Sequence, residues 1–282
     1  MFAGFNLSIG KSFFDSEPKS YEDYQAIGVN HLSSQKAVYE RTVEEYIVNK
    51  IVDGSKVQED WFPEISADIF LSHAHADKEL ANALAGWLND TFRLECFVDS
   101  NIWGYAGSLL ESLNIKYSDK RSNPTGGNLY NHESCNKVSQ HVNIMLNIAL
   151  QKMVDKVETV FLLNTSNSIK ISEDDKTVNK TYSPWIYSEL VCSEIVNKKP
   201  LHYYRYNTEL YHSFNESQKF SALDESMTIS YNAPIKHLIE IDETILVKWS
   251  KDYCYNNPFA LDMLYKVFFP EEVIKTQEHY KY

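Results

Sequence analysis

Short apolar runs alternate with amphipathic helical patterns along the middle of this 282-residue chain, and this alternation constrains the fold more than any other feature. The apolar runs predict strands over 69–71, 94–98, 159–163 and 201–204. The patterns between and after them predict helices over 77–89, 138–154 and 184–197. Strands that alternate with helices along the chain are typical of a parallel sheet covered by helices on both faces. We therefore predict an α/β fold, a flavodoxin-like doubly wound parallel sheet of strand order 2-1-3-4-5.

The rest of the chain is predicted to extend this unit at both ends. A helical pattern over 34–53 and the polar stretch before it indicate an N-terminal helical extension, residues 1–65. The α/β domain is expected over 66–253, where an apolar run near 235–241 completes the sheet. Residues 254–282 are expected to be a C-terminal helical extension. Within the domain, 114–136 has almost no periodicity and contains Pro and Gly, which predicts an inserted loop.

Charge and composition exclude several kinds of partner. The chain has 27 Lys plus Arg against 39 Asp plus Glu, a net charge of -12, and its clearest basic cluster, 116–121, is small. A phosphate backbone would repel such a chain. No apolar run approaches the ~20 residues of a membrane span, and the first residues do not resemble a secretory signal. We therefore expect a cytoplasmic protein that binds neither nucleic acid nor membrane, with its four scattered cysteines reduced.

A polar cluster directly follows the first predicted strand of the domain, and it has more than one interpretation. Ser72, His73, His75 and Asp77 stand in a Ser-His-Ala-His-Ala-Asp run. His-x-His-x-Asp is a spacing that holds zinc in metallo-β-lactamase-like hydrolases, although Lys78 stands where that family has a further ligand. Alternatively, Asp77 caps the following helix and the histidines are turn residues without a chemical role.

A second cluster follows the strand at 159–163. Ser183 and Pro184 form a helix start, and Trp185 and Glu189 lie one turn apart on one helix face. A Glu in this position can be merely solvated on an exposed face. In the predicted strand order, however, this cluster and the one at Ser72 leave neighbouring strands at the same sheet edge, where ligands bind in such folds.

The two clusters together resemble Toll/interleukin receptor (TIR) domains, in particular the enzymatic ones. The strand 69–71, preceded by Asp68 and ending in Ser72-His73, is similar to their first motif, and Ser-x-Trp-x-x-x-Glu-Leu at 183–190 is similar to their catalytic helix. The resemblance covers about 66–253 and implies that Glu189 is the catalytic carboxylate. It further implies substrate contacts from Ser72, His73, Asp99, Trp103 and Trp185.

Enzymatic TIR domains cleave the nicotinamide–ribose bond of NAD, so the resemblance implies an NAD glycohydrolase or ADP-ribosyl cyclase with NAD as substrate and no metal. No GxGxxG or P-loop motif is present. A TIR enzyme with short extensions is similar to the signal-producing component of bacterial antiphage systems such as Thoeris. Its expected partners are other TIR subunits, a separate effector that reads the nucleotide product, and a phage-derived trigger. The alternatives are a non-enzymatic TIR adaptor and an effector that depletes NAD.

Overall fold

The computed structural model describes residues 1–34, 43–48, 51–98, 100, 106–118, 120–122, 128–206, 229–253 and 259–279. Its centre is a five-stranded sheet in which every pair of neighbouring strands is parallel. The strands are β1 (Ala3–Ser8), β2 (Ile69–Ser72), β3 (Cys96–Phe97), β4 (Thr159–Leu163) and β5 (Ile239–Asp242). They lie side by side in the order β5-β1-β4-β2-β3.

Nine α-helices of eight residues or more are found among the described residues. They are α1 (Tyr21–Ser34), α2 (Gly54–Trp61), α3 (Lys78–Phe92), α4 (Ala106–Tyr117), α5 (His132–Lys156), α6 (Pro184–Ile195), α7 (Glu243–Asp252), α8 (Ala260–Phe268) and α9 (Pro270–His279). Shorter helical segments are Lys11–Ser16, Val43–Tyr46, His75–Asp77 and Tyr203–Tyr206. Short antiparallel strands outside the main sheet are Ile47–Val48, Ile51–Val52, Lys120–Ser122, Asn128–Tyr130, Lys170–Ile171, Asn179–Thr181 and Tyr231–Asn232. No described helix combines the length and apolar character that a membrane span requires.

Helices cover both faces of the sheet, as a doubly wound α/β fold requires. Side chains alternate between the faces of each strand. Phe5 and its neighbour Phe161 lie on the face under α8, where the Phe5 ring is 5.7 Å from the ring of Phe268. On the opposite face, Leu162 packs with Ile186 and other residues of α6. The sheet is thus the buried centre of an α/β unit with helical layers above and below it.

The structure confirms the centre of the predicted strand order and corrects its edge. The strand at 159–163 pairs with the strand at 69–72, which pairs with the strand at 96–97, as predicted. The next position is filled by β1, which lies within the region assigned to an N-terminal helical extension. Residues 201–204, predicted to be a strand, form a turn and the start of the helical segment Tyr203–Tyr206. The run near 235–241 does supply the edge strand, β5.

Two further segments differ from the sequence-based expectation. The helix predicted over 34–53 does not continue through its second half, because Val43–Tyr46 form a 3-10 turn and Ile47–Val48 pair antiparallel with Ile51–Val52. That stretch is rich in Val and Ile, whose branched side chains favour extended backbone. The predicted loop at 114–136 contains the end of α4, a short antiparallel pair and the start of α5.

Residues of the predicted N-terminal extension also form the closest helix–helix contact of the described fold. α1 packs on α3 so tightly that a Cβ atom on Gly28 would lie 1.9 Å from the backbone oxygen of Asn82. A Cβ atom on Gly86 would lie equally close to the backbone oxygen of Tyr24. Only glycine permits this approach, so α1 is an integral layer of the fold.

Candidate functional site

Ser72 and Glu189 meet at the carboxyl edge of the sheet. Ser72 is the last residue of β2, and its hydroxyl donates a hydrogen bond of 2.5 Å to Glu189 Oε2. Ser72 is 1 % exposed and Glu189 4 % exposed. The alternative in which Glu189 is a solvated surface residue is therefore wrong. The two residues are 117 positions apart in sequence, and the sheet brings them together.

Local sequence signals explain why Glu189 lies where it does. Ser183 is the N-cap of α6, where its hydroxyl accepts a hydrogen bond of 3.2 Å from the backbone N–H of Ile186. Pro184 follows in the first turn, where it lacks only an N–H that has no intrahelical partner. The apolar side of α6 then packs on the sheet in a small buried cluster: Ala74, Leu162, Ile169, Ile186, Leu190 and Leu238. Leu190 is next to Glu189, so burial of this side fixes the position of the carboxylate.

His73 makes its contacts with the segment that follows β3. Its Nε2 lies 3.0 Å from Ser100 Oγ and its Nδ1 lies 3.3 Å from Leu71 O. Lys78 Nζ donates a hydrogen bond of 3.1 Å to the backbone oxygen of Ser100. Residues 73–78, which follow β2 and are called the post-β2 segment, therefore contact Ser100 through two side chains. Asp99 and Trp103, the remaining predicted residues of this loop, lie outside the described residues.

Asp77 joins the segments that follow β2 and β4. Asp77 is the N-cap residue of α3, as the alternative interpretation expected, but its side chain forms no hydrogen bond to the N–H groups of that helix. Its carboxylate instead accepts a hydrogen bond of 2.5 Å from Thr165 Oγ1 and one of 2.7 Å from Asn167 Nδ2. The loop from Asn164 is itself braced, since Ser168 Oγ donates to Leu163 O. Two neighbouring strand ends are thus tied together beside the Ser72–Glu189 pair.

Trp185 lies on the outer side of α6. It is half-buried and lines an exposed groove with Pro184 and residues of α5 that include Ile144 and Ile148. A hydrogen bond of 2.8 Å from Asn147 Nδ2 to Ser188 Oγ joins the two helices in this region. The groove has a volume of about 410 Å³ and no charged side chain among its lining residues.

The residues of the alternative zinc interpretation do not converge. His73 faces Ser100, Asp77 faces Thr165 and Asn167, and His75 is exposed. Over the residues that the structure describes, no three His, Cys, Asp or Glu side chains are grouped so as to hold a metal ion.

Sequence analysis missed the polar residue that β1 contributes to the same face of the sheet. Asn6 is 5 % exposed and pairs in register with Leu162, which pairs on its other side with Ser72. Apolar and polar residues alternate along Phe5, Asn6, Leu7 and Ser8. That period of two is the signal that could have identified β1 as a half-polar strand.

The described site is a buried carboxylate oriented by a hydroxyl at the rim of a parallel sheet. Such a group stabilises a neighbouring positive charge, because burial weakens the screening of its own charge by water. Comparison of the chain with protein-family models, with curated proteins and with solved structures finds no match.

Proposed function

We propose that this protein is a TIR-type enzyme that cleaves the nicotinamide–ribose bond of NAD and releases an ADP-ribose-derived signal. The observation that carries the proposal is the buried contact between Ser72 and Glu189 at the carboxyl ends of neighbouring strands. Ligands bind at this edge in open α/β sheets. A carboxylate held there by a serine hydroxyl is the group that glycosidic cleavage of a cationic base needs.

The proposed reaction requires little proton transfer. The C1′–N bond of the nicotinamide ribosyl group breaks, and its electron pair leaves with nicotinamide, which departs neutral. Positive charge develops on the ribose, as in other glycosyl transfers. The Glu189 carboxylate stabilises that charge and accepts hydrogen bonds from ribose hydroxyls. A nucleophile then bonds to C1′: water gives ADP-ribose and loses a proton to solvent, the adenine gives a cyclic product, and another acceptor gives a conjugate.

Other residues have supporting roles in the proposal. Ser72 orients the carboxylate, and His73, Asp99 and Trp103 belong to the segments expected to contact the substrate. Trp185 stands one turn before Glu189 and is expected to provide an aromatic wall. The uncharged groove beside it is the proposed surface for assembly with further copies of the chain, since a charge of -12 opposes association elsewhere. The product is proposed to act on a separate effector in bacterial antiphage defence, after a phage-derived trigger.

NAD turnover by purified protein tests the proposal. The protein is incubated with NAD over a range of protein concentrations, and the products are separated by chromatography with mass detection. Wild type is expected to release nicotinamide, with a specific activity that rises with protein concentration if assembly completes the site. Glu189→Gln, which keeps the shape of the side chain, is expected to lower the rate about a hundredfold to a thousandfold.

Glu194→Gln is the matched control. Glu194 is exposed on the same helix, so the substitution makes the same charge change away from Ser72. It is expected to leave the rate within about twofold of wild type, because the charge removed is solvated. Equal nicotinamide release by wild type and Glu189→Gln overturns the assignment of Glu189. Absence of release at every concentration favours the non-enzymatic adaptor, and rapid conversion to ADP-ribose alone favours an NAD-depleting effector.

A further inference from the structure

A pocket of about 370 Å³ opens between α2, α4 and α5, and the proposed reaction does not use it. α5 forms one wall through residues spaced three or four positions apart, which share one face of a helix. Leu113 and Tyr117 of α4 and the start of α2 at Gly54 form the other walls. Sites for small molecules have volumes of about 300–1,000 Å³, so this pocket has the size of a ligand site.

The interior of this pocket is apolar and suits a flat ring. Leu113 is 6 % exposed, and Val52, Val138 and Met145, which also line the pocket, are half-buried. Tyr117 is 38 % exposed. A methionine thioether and a tyrosine ring both make favourable contacts with an aromatic group. An aromatic ring bound there would also remove apolar surface from water, which favours binding.

The polar residues that line the pocket favour a negatively charged group. Ser134, Lys137 and His141 lie on successive turns of α5, and none of the described lining residues is acidic. Ser134 is in the first turn of this helix, where the helix dipole also favours an anion. Tyr117 belongs to the basic cluster 116–121, the clearest one in a chain of charge -12. Charge complementarity thus selects an anion at this pocket.

An acidic residue next to the pocket limits the charge of that anion. Lys137 Nζ donates a hydrogen bond of 2.8 Å to Glu133 Oε1, and both side chains are largely exposed. An exposed pair of this kind contributes little to stability, so Lys137 can also bind a ligand. Glu133 repels a doubly charged phosphate more strongly than a singly charged carboxylate. A carboxylate is therefore the better match.

We propose that this pocket binds a small aromatic carboxylate, with the ring against its apolar wall and the carboxylate beside Lys137 and His141. A carboxylate accepts hydrogen bonds from an ammonium group and from an imidazole N–H, and bonds to a charged group are stronger than neutral ones. The pocket shares none of its described lining residues with the contact between Ser72 and Glu189. Binding there does not require NAD turnover.

Calorimetric titration of the full chain with two probes of the same shape tests this site. Naphthalene-2-carboxylate carries the charge, and naphthalene-2-carboxamide has the same rings without it. The carboxylate is expected to bind with a dissociation constant of about 0.1–1 mM, as suits a ligand of this small size. The carboxamide is expected to bind about tenfold more weakly, because it lacks the charge-assisted bonds. Raising the salt concentration is expected to reduce this difference.

Two pairs of variants locate the binding. Val138→Trp fills the pocket and is expected to abolish binding, whereas Ile115→Trp places the same ring on an exposed part of α4 and is expected to leave binding unchanged. Lys137→Met is expected to give both probes the affinity of the carboxamide. Lys152→Met is its control, since Lys152 also pairs with a glutamate but lies about 22 Å further along α5.

The outcomes separate a specific site from nonspecific binding. Loss of binding in Val138→Trp, together with loss of the preference for the carboxylate in Lys137→Met, supports the site. Equal affinity of wild type for the two probes overturns the proposal, because charge then has no role. Unchanged binding in folded Val138→Trp, or no saturable binding to wild type below about 5 mM, also overturns it. If circular dichroism shows that Val138→Trp does not fold, the comparison of Lys137→Met with Lys152→Met decides.

Discussion

The described side-chain hydrogen bonds to buried carboxylates differ between the two edges of the parallel sheet. At the amino edge, Arg205 donates to both carboxylate oxygens of Glu158 at 2.7 Å and also to Asp262. Its guanidinium lies 4.6 Å from the centre of the Phe259 ring. Burial lowers the pKa of Arg205, but the hydrogen bonds and charges of Glu158 and Asp262 outweigh it and raise the pKa. This edge is held by the two ion pairs of Arg205.

At the carboxyl edge, hydroxyl and amide groups donate hydrogen bonds to buried carboxylates. Glu189 accepts one from the Ser72 hydroxyl, and Asp77 accepts one from the Thr165 hydroxyl and one from the Asn167 amide. Donors of this kind fix the orientation of a carboxylate. The comparison teaches that a guanidinium joins distant segments through charge at one edge, whereas hydroxyl and amide groups orient Glu189 and Asp77 at the other.

Removing the Arg205 guanidinium from the amino edge is expected to have the largest effect on stability. Arg205→Met removes the cation and leaves two buried carboxylates, Glu158 and Asp262, without compensation. We expect the free energy of unfolding to fall by about 3–5 kcal/mol, measured by urea titration. NAD turnover per folded molecule is expected to remain, since Arg205 lies at the other end of the strands.

Lys275→Met provides the comparison for that variant. Lys275 pairs with Glu272 on the exposed surface of α9, and such pairs contribute about 0–1 kcal/mol. A loss of stability in Lys275→Met as large as that in Arg205→Met would show that burial of the pair is not what matters.

The pH dependence of stability tests a further buried carboxylate at the amino edge, that of Asp68. Burial raises the pKa of Asp68 to about 6, against a lowering by its hydrogen bond from the backbone N–H of Glu95. In the folded state Asp68 thus binds a proton more tightly than in the unfolded state. Relative to Asp68→Asn, wild-type stability is expected to fall as pH rises from about 4 to 6, by about 2 kcal/mol in total. Urea titrations of both proteins at several pH values measure this difference.

The exposed Asp175 tests the direction of this pH dependence. Hydrogen bonds from Thr177 lower the pKa of Asp175, so its contribution to stability is lost as the pH falls. Asp175→Asn should therefore reverse the trend seen with Asp68→Asn. A parallel trend in the two variants would contradict the explanation by burial.

The smallest expected effect on stability concerns the hydrogen bond between Asn167 and Asp77, which links the segment after β4 to the segment after β2. Asp77→Asn and Asn167→Ala each disturb the same hydrogen bond, so their effects on unfolding free energy should not add. We expect a coupling energy of about 1 kcal/mol from the double-mutant cycle. Ser166→Ala, in the same exposed loop, is expected to be additive with Asp77→Asn. Additivity of Asp77→Asn with Asn167→Ala would contradict the described contact.

Local signals made much of the site predictable. The strand 159–163 has five consecutive buried residues, and α6 carries its own start signal in Ser183-Pro184, so both are found where predicted. The parallel connection then brings Ser72 and Glu189 to one edge. The sequence does not reveal whether Glu189 is buried or solvated, because that depends on how closely Leu190 and Ile186 pack on β4 and the post-β2 segment.

What could not be predicted depends on distant partners. β1 has a short alternating pattern over Phe5–Ser8, but its Gly, Asn and Ser residues have low strand propensity, and its place at the centre of the sheet comes from pairing with β4 and β5. Residues 201–204 have an apolar and aromatic composition typical of a strand. The chain instead forms a helical turn there, which positions Arg205 against Glu158 and Asp262. Tertiary pairing outweighs local propensity in both places.

The position of β1 has a consequence for the order in which the sheet can form. β1 is made before both of its neighbours, because Ala3 pairs with Thr159, 156 positions later, and Phe5 pairs with Ile239. The centre of the sheet therefore closes only after β5 has been made, which is a slow topology. A nascent chain released before β5 emerges carries β1 with one open edge, which invites pairing with other chains. Folding of this sheet therefore waits for β5, and its yield depends on keeping the exposed edge of β1 unpaired until then.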